Sequence, residues 1–361
     1  MSFSEDGYMM TERKKQYIRT ENFFMQVYKH KPGTIQIYRK LFQIVFAILC
    51  IWIGIEFHFF VRYFETNGQS VFISRPPGVD GFLPISSLMN LFYFVQTGEI
   101  HPVHPAGLFI FLSIIVMSFA FGKSFCSWLC PVGFLSEFIG DQGKKLFKRN
   151  LRLPKWLDYI LRSIKYLLLA FFAFAIFSMS IIELKAFLSS DYNVVADIRM
   201  YDFFAQITMF SLGVILLLIV LSFFIRGFWC RFLCPYGALL GIFGILSPLK
   251  IKRNQDSCIN CARCSKICPA NIKVDKVKVV ISDECTSCYQ CIDVCPVQNT
   301  LEMKTVTGNR ALPKKATAII IIVIFLGFTG VGMLLGKWQN TVSKEKYKEL
   351  YPIRMGLQHV Q

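Results

Sequence analysis

Eight cysteines stand in two identical runs in the last third of this chain, and they constrain its fold more than any other feature. Each run has the spacing C-x2-C-x2-C-x3-C and is followed directly by a proline. Spacing this tight is typical of metal ligands and not of disulfides. The first run is Cys258, Cys261, Cys264 and Cys268, and the second is Cys285, Cys288, Cys291 and Cys295.

The repeated spacing is that of a protein with two [4Fe-4S] clusters, in which the fourth cysteine of each run ligates the other cluster. Structural zinc is the alternative, but four-thiolate zinc sites usually separate two C-x2-C pairs by a longer loop. We expect a small α+β domain of the bacterial ferredoxin type over residues 248–305, with a short hairpin near residues 272–281. Cluster 1 would be bound by Cys258, Cys261, Cys264 and Cys295, and cluster 2 by Cys285, Cys288, Cys291 and Cys268.

The composition places much of the remaining chain in a membrane. Of its 361 residues, 54% are hydrophobic and only 17% are charged, which is too apolar for an ordinary soluble domain. A bilayer core requires about 20 predominantly apolar residues per helix. We therefore predict an α-helical integral membrane protein with about five transmembrane helices, and not a soluble protein with five buried helices. The predicted spans are residues 41–61, 104–121, 160–182, 203–225 and 316–335.

The basic residues predict how the chain is oriented. Its formal charge of +17 is interpreted as membrane-flanking loops, and no nucleic-acid partner is expected. Residues 1–40 carry eight Lys or Arg and residues 226–315 carry fourteen, whereas the loop of residues 183–202 carries two. We expect a multi-pass protein of the bacterial cytoplasmic (inner) membrane, with the amino-terminal segment 1–40 and the ferredoxin domain in the cytoplasm. The tail, residues 336–361, is also basic and does not fit this orientation, because five spans would place it outside.

Two further cysteine motifs follow the predicted second and fourth spans. Cys126 with Cys130, and Cys230 with Cys234, each form C-x3-C-P-x-G. The copies predict two parallel repeats within a four-helix membrane domain, residues 41–247. If the four thiols converge, they could bind a further iron-sulfur cluster or a soft metal such as Cu(I), or act as redox-active dithiols. Close helix packing by small residues is the structural alternative.

Four ionisable residues on the predicted outer side are candidates for quinol chemistry. Glu56 and His58 lie in the first predicted span, whereas His101 lies just before the second and His104 at its start. Quinol oxidation requires groups near the membrane that accept protons, although interfacial residues can also reach water at little cost. Intrinsic haem is not expected, because only His58 of the five histidines lies in the interior of a predicted helix.

A basic stretch surrounds the first cysteine run. It would attract an acidic redox protein or, alternatively, anionic lipid headgroups. The stretch consists of Lys250, Lys252, Arg253, Lys273, Lys276 and Lys278.

The two C-x3-C-P motifs and the eight-cysteine segment together resemble the membrane polyferredoxins of the NapH, NosR and CcoG type. Residues 75–85, RPPGVDGFLPI, resemble the first outer loop of the YccM-type electron transport subgroup. The resemblance implies a membrane-bound relay of electrons between a quinol pool or soluble donor and a partner redox protein. Whether such a chain is itself a quinol dehydrogenase stays open. The alternative that the resemblance offers is a copper-reducing assembly factor for a respiratory oxidase.

Overall fold

The computed structural model describes residues 15–20, 23–28, 34–148, 151, 153–308 and 310–357. Residues 1–14 of the predicted amino-terminal segment lie outside that description. The described chain is mostly helical and includes two small antiparallel two-stranded sheets. The strands are β1 (Lys15–Thr20), β2 (Phe23–Tyr28), β3 (Leu249–Arg253) and β4 (Leu301–Thr305). The α-helices are α1 (Thr34–Glu65), α2 (Pro84–Thr97), α3 (Pro105–Phe121), α4 (Phe125–Trp128), α5 (Pro131–Phe147), α6 (Lys155–Phe177), α7 (Ile181–Ser189), α8 (Asp191–Val194), α9 (Ala196–Ala205), α10 (Met209–Phe224), α11 (Pro235–Leu246), α12 (Arg263–Ile267), α13 (Gln290–Asp293), α14 (Lys314–Leu334) and α15 (Lys344–Leu350).

Three of the described helices, α1, α6 and α14, are long and apolar enough to cross a membrane. They contain most of the first, third and fifth predicted spans. Their outward apolar side chains include Ile48, Phe171 and Val323, which are all exposed. Such contiguous apolar surface suits lipid and would be a liability in water. The prediction of a helical membrane protein is confirmed, whereas the number of five spans is not.

The predicted fourth span is broken in the structure. Helices α9 and α10 meet at an angle of 82°, and together they could count as one bent span. Helix α9 is the polar part, because its Asp197 and Asp202 are buried in ion pairs with Arg75 and Arg354. The average hydropathy over 18 residues does not resolve the change from polar α9 to apolar α10, so the predicted span begins inside α9.

Helix α3, the predicted second span, lies at the centre of the membrane domain. It has 17 residues, about 25 Å at 1.5 Å per residue, which is shorter than the hydrocarbon core of a bilayer. It packs against α2, α11 and α14. A helix that is apolar on all sides is suited to such a buried position.

The ferredoxin segment shares a core with the membrane helices. Strands β3 and β4 pair antiparallel on either side of the cysteine runs, with Ile251 opposite Met303. These two side chains are buried in one cluster with Met117 and Trp128 of the membrane domain. The expected hairpin near residues 272–281 is not present: residues Val274–Lys276 form a 3-10 turn, and the segment makes one bridge, between Lys252 and Val279.

The carboxyl-terminal helix α15 packs at the opposite end of α1 from the ferredoxin segment. Tyr347 is buried against Phe60 and Phe64, with a ring-centroid distance of 5.2 Å to Phe60. At the other end of α1, Gln36 contacts Cys288. Gln36 and Phe60 are separated by about 36 Å along a straight helix. The tail and the ferredoxin segment therefore lie at opposite ends of the molecule.

Candidate iron-sulfur and membrane cysteine sites

The eight cysteines of the ferredoxin segment line two separate cavities. Each cavity combines three cysteines from one run with the last cysteine of the other run. The cluster 1 cavity is lined by Cys258, Cys261, Cys264 and Cys295, and the cluster 2 cavity by Cys268, Cys285, Cys288 and Cys291.

The backbone of both runs has the same unusual conformation around the second cysteine. Asn260 and Ala262 flank Cys261 with φ of 54° and 55°, and Ser287 and Tyr289 flank Cys288 with φ of 48° and 62°. Non-glycine residues occupy this left-handed region at a cost of about 1–2 kcal/mol each. Alternating right- and left-handed residues turn successive N–H groups towards one point and form an anion-binding concavity. Four thiols and such a concavity fit a negatively charged iron-sulfur cluster.

A site for a single metal ion would have a different geometry from a site for a cluster. Among the residues that the structure describes, no group of three or more His, Cys, Asp or Glu side chains is placed to hold one metal ion. A four-iron cluster keeps its four sulfur ligands around a larger body than one ion does.

The two C-x3-C-P motifs fold into matching local structures. The backbone N–H of Cys130 donates to the Phe125 carbonyl, and that of Cys234 donates to the Trp229 carbonyl, each at 3.0 Å. The Sγ of Cys130 accepts from the Gly133 N–H at 3.4 Å, and the Sγ of Cys234 accepts from the Gly237 N–H at 3.3 Å. The prolines begin α5 and α11. Each second cysteine therefore lies at a helix N-terminus, where the helix dipole favours a thiolate.

Glycine is required at position 133. A Cβ there would lie 2.0 Å from the Cys126 carbonyl oxygen, closer than any van der Waals contact. At Gly237 the nearest atoms would be the Lys123 side chain at 3.3 Å and the Cys230 carbonyl oxygen at 3.4 Å. The first motif therefore leaves less space at its glycine than the second motif does.

The two motifs meet at one cavity, which we call the membrane cysteine cavity. Cys126 and Cys230 line it, and Cys130 and Cys234 lie close enough to interact electrostatically with them. Burial raises the pKa of Cys126, Cys130 and Cys230 to about 12. These buried thiols would release their protons on binding a metal.

The charges around the membrane cysteine cavity are net positive. The lining carries four basic side chains and two carboxylates. Burial alone would raise the pKa of Glu137, but hydrogen bonds from Arg39 at 2.7 Å and the charge of Arg226 lower it to about 2. The cavity therefore suits an anionic occupant. The basic residues are Arg39, Lys123, Arg226 and Arg231, and the acidic ones are Glu137 and Glu284.

The ferredoxin segment docks on the membrane domain through its cluster 2 loop, residues 285–288. Four of its carbonyl groups accept hydrogen bonds from membrane-domain groups, at distances of 2.6 to 3.2 Å. The donors are the Lys123 backbone N–H and the side chains of Gln36, Ser127 and Trp128, and the acceptors are Cys285, Cys288, Thr286 and Ser287 respectively.

Buried ion pairs hold the residues that precede this loop. Asp283 accepts hydrogen bonds from Arg162 at 2.7 Å and from Tyr166 at 2.5 Å. Glu284 is buried, accepts a hydrogen bond from Lys165 and lies 3.9 Å from the Nζ of Lys123. The sequence patterns did not identify these residues. Lys165 lies inside a predicted span, and a charge within a membrane helix needs a partner. This residue was therefore the signal in the sequence that a buried carboxylate lies nearby.

The four predicted quinol residues have different hydrogen-bond partners. Glu56 accepts from Trp52 at 3.0 Å, and His58 Nδ1 lies 2.6 Å from the Tyr201 hydroxyl. His101 Nε2 lies 3.0 Å from the Ser189 hydroxyl. None of the four residues lines the cysteine cavities of the described structure. The quinol role stays a prediction.

His104 is part of a buried ion cluster. Its Nδ1 is 2.9 Å from Asp80 Oδ1, and its Nε2 is 2.7 Å from the Asn193 carbonyl oxygen. A guanidinium nitrogen of Arg75 also lies 3.1 Å from His104 Nδ1. Arg75 bonds Asp80 and Asp197, each at 2.5 Å.

Comparison with known families matches both cysteine regions. The family described as "4Fe-4S binding domain" matches twice, at residues 103–154 and 207–254. The family described as "4Fe-4S dicluster domain" matches residues 251–303. The two matches of the first family each contain one C-x3-C-P motif, and the match of the second contains both ferredoxin runs.

Several curated proteins are similar to this chain. YccM of Escherichia coli K12, provisionally named an electron transport protein, is 44% identical over 320 residues, covering 87% of this chain and 90% of YccM. The ferredoxin-type protein MauN of methylamine utilization in Methylobacillus flagellatus is 25% identical over 56% of this chain and 64% of MauN. The regulatory protein NosR of Stutzerimonas stutzeri is 31% identical over 45% of this chain and 22% of NosR. No solved structure matches the chain.

Proposed function

This chain belongs to the family of YccM and has an iron-sulfur electron-transfer role, and from that premise we propose the route of the electrons. In this proposal Cys258, Cys261, Cys264 and Cys295 bind cluster 1, and Cys268, Cys285, Cys288 and Cys291 bind cluster 2. Two observations support the division: the two sets line separate cavities, and both loops carry the left-handed residues that form an anion-binding concavity.

The membrane cysteines would hold a third iron-sulfur group between them. Each match to the "4Fe-4S binding domain" family contains only two cysteines, whereas a [4Fe-4S] cluster takes four thiolates. Two halves that each supply two cysteines could share one cluster. Two of the four cysteines line one positively charged cavity and the other two lie close enough to interact with them electrostatically, which supports this arrangement. These residues are Cys126, Cys130, Cys230 and Cys234.

A single observation carries the proposed route. The membrane cysteine cavity and the cluster 2 cavity share four lining residues, while the cluster 1 cavity shares none with either. Electrons would therefore pass in the order cluster 1, cluster 2, membrane cysteines, or in the reverse order. The shared residues are Pro269, Ala270, Thr286 and Cys288.

The proposed orientation places the ferredoxin segment in the cytoplasm and α15 on the outer side of the bacterial inner membrane. The excess of Lys and Arg in residues 226–315 supports the first half. The position of α15 at the far end of α1 supports the second, although the tail itself is basic. Electrons would then cross towards an outer redox partner through the membrane cysteine cavity.

Anaerobic purification in detergent with metal and sulfide analysis tests the proposal. We expect about twelve iron atoms per chain if three four-iron clusters are present, and about eight if the membrane cysteines hold none. The variant with Cys126→Ser and Cys230→Ser should lose about four. EPR after stepwise reduction should show magnetic coupling between neighbouring clusters. Stoichiometric zinc in place of iron would contradict electron transfer, and copper at the membrane cysteines would contradict the third cluster.

A further inference from the structure

The two ends of the ferredoxin segment differ in access. The cluster 2 loop is covered by the membrane domain, and both Cys288 and Cys291 are buried. Cys261 of the cluster 1 cavity is exposed. On either side of residues 258–264, Ser257 bonds Thr300 and Ser265 bonds Asp275, which both belong to the ferredoxin segment. One end of the proposed route therefore opens onto the surface.

The surface around Cys261 is basic. We define the cluster 1 face as Arg253 and Asp275, which line this cavity, together with the charged residues near its lining residues in the chain: Asp256, Arg263, Lys273, Lys276 and Lys278. Five of the seven are positive, and Arg263, Lys273, Lys276 and Lys278 are exposed. Asp275 is already engaged with Ser265 and, at 3.7 Å, with Lys276. The face thus keeps a positive excess.

Two basic residues of the same stretch do not contribute to this face. Lys250 is buried and donates to the carbonyl groups of Gly244 at 2.5 Å and Ile245 at 3.1 Å, where it caps the end of α11. Lys252 donates to the carbonyl groups of Val306 and Gly308. Their charges serve local structure, and the other basic residues of the stretch belong to the cluster 1 face.

We propose that the cluster 1 face docks a soluble, acidic, one-electron carrier protein. This inference rests on the proposed function and names the partner class at one end of its route. The carrier's reduced prosthetic group loses one electron, and the iron-sulfur group held by Cys258, Cys261, Cys264 and Cys295 gains it; the reverse transfer balances equally. Complementary charge speeds encounter and orients the carrier, while the exposed loop at Cys261 gives the short approach.

An anionic lipid surface is the other source of negative charge, and the geometry favours the protein. The face lies beside the cavity that shares no lining residue with the membrane cysteine cavity, whereas the loop at Cys285 and Cys288 is the part that rests on the membrane helices. A lipid surface would contact the segment on its membrane-facing end, where the carbonyl groups are already bonded.

Binding of a purified acidic flavodoxin to the iron-loaded full-length protein in detergent tests the proposal. Reversing two charges in the variant with Lys273→Glu and Lys276→Glu should raise the Kd at least about tenfold, or 1.4 kcal/mol, at low salt. The matched control reverses two exposed charges at the opposite end, Lys337→Glu with Lys348→Glu, and should leave the Kd unchanged. Equal weakening by both variants, or by neither, would overturn the docking surface.

A second measurement does not depend on variants. Carbodiimide links contacting carboxylates to lysines, so wild-type protein with the flavodoxin should yield cross-links at Lys273 or Lys276, found by mass spectrometry. Cross-links confined to the tail lysines would overturn the proposal, as would binding to phosphatidylglycerol vesicles through these lysines with no binding of flavodoxin. Iron content and EPR spectra of the same samples test the cofactors separately, so a failure of docking is distinct from a failure of the proposed function.

Discussion

The side-chain amide of Gln36 donates a hydrogen bond of 2.8 Å to the backbone carbonyl of Cys288, 252 residues further along the chain. This bond joins the first turn of the first membrane helix to the cluster 2 loop. It shows that the ferredoxin segment is not a module on a flexible linker but part of one packed unit with the membrane domain. The proposed order of the clusters depends on this fixed position of the cluster 2 loop against the membrane domain.

Replacing one cysteine of each cavity should remove iron from that cavity alone. Cys261→Ser should lose about four iron atoms and the cluster 1 EPR signal, and Cys288→Ser should lose about four and the cluster 2 signal, because each replaces one of four thiolates. Iron analysis and EPR of anaerobic samples provide the measurement. The control is Cys50→Ser, since Cys50 lies outside both runs and both C-x3-C-P motifs. Retention of all iron in either cluster variant would contradict the assignment.

Gly133→Ala should disrupt the membrane cysteine cavity. The added Cβ would lie 2.0 Å from the Cys126 carbonyl oxygen, so the motif or the start of α5 must shift. We expect loss of metal at this cavity and a destabilisation of about 1–3 kcal/mol, typical of overpacking. Thermal unfolding in detergent and iron analysis measure both effects.

Gly54→Ala is the matched control for that variant. Gly54 lies inside α1, and a Cβ added there would meet no atom within 4 Å, so alanine should be neutral or stabilising by about 0.5–1 kcal/mol. If Gly133→Ala behaves like Gly54→Ala, the close approach to Cys126 is not a constraint on the motif.

Glu284→Gln should weaken the seating of the cluster 2 loop. The change leaves Lys165 and Lys123 buried without their shared carboxylate, and breaking a buried ion pair in this way costs about 3–5 kcal/mol. We expect the unfolding temperature to fall by roughly 6–10 °C. Adding Lys165→Met should recover part of the loss, because it removes one unpaired charge.

Glu349→Gln is the control for the loss of a carboxylate. Glu349 is exposed and lies 3.8 Å from Lys346, and surface pairs of this kind contribute about 0–1 kcal/mol. A Glu284→Gln protein as stable as this control would show that the buried lysines find other partners.

The family and the chemical role were predictable because ligand spacing is a local property of the sequence. The ligand spacing of the run from Cys258 to Cys268 can be recognised within eleven residues. The long spans were equally local, since α1, α6 and α14 are uniform apolar stretches. The buried setting of α9, before the bend into α10, was not predictable, because its ion pairs are with Arg75 and Arg354, which are distant in the sequence.

The position of the ferredoxin segment on the membrane domain was also not predictable from sequence patterns, because it depends on contacts between residues distant in the sequence. Gln36, Ser127 and Trp128 belong to no motif, yet they fix which cluster cavity adjoins the membrane cysteines. The expected hairpin near residues 272–281 failed because its alternating apolar side chains, including Val274 and Val280, pack into the shared core without forming a paired strand of their own.

Stability should fall as the pH drops from about 6.5 towards 4, because of His101. Burial lowers the pKa of His101 to about 4, and the positive charges of His104 and Lys185 contribute to the shift. Its pKa in the unfolded chain is near 6.5, so the folded state binds fewer protons in this window. The contribution is complete above pH 6.5, is lost as the pH falls to 4, and amounts to about 1–3 kcal/mol.

Unfolding temperatures at four pH values between 7.5 and 4.5 measure this effect, with His101→Gln as the comparison. The variant keeps a polar side chain near the Ser189 hydroxyl, which lies 3.0 Å from His101 Nε2, but cannot take up a proton. Acid loss of iron-sulfur clusters and titration of carboxylates affect both proteins alike, so the difference between the two curves isolates His101. Parallel curves across this range would show that the buried imidazole does not set the pH dependence.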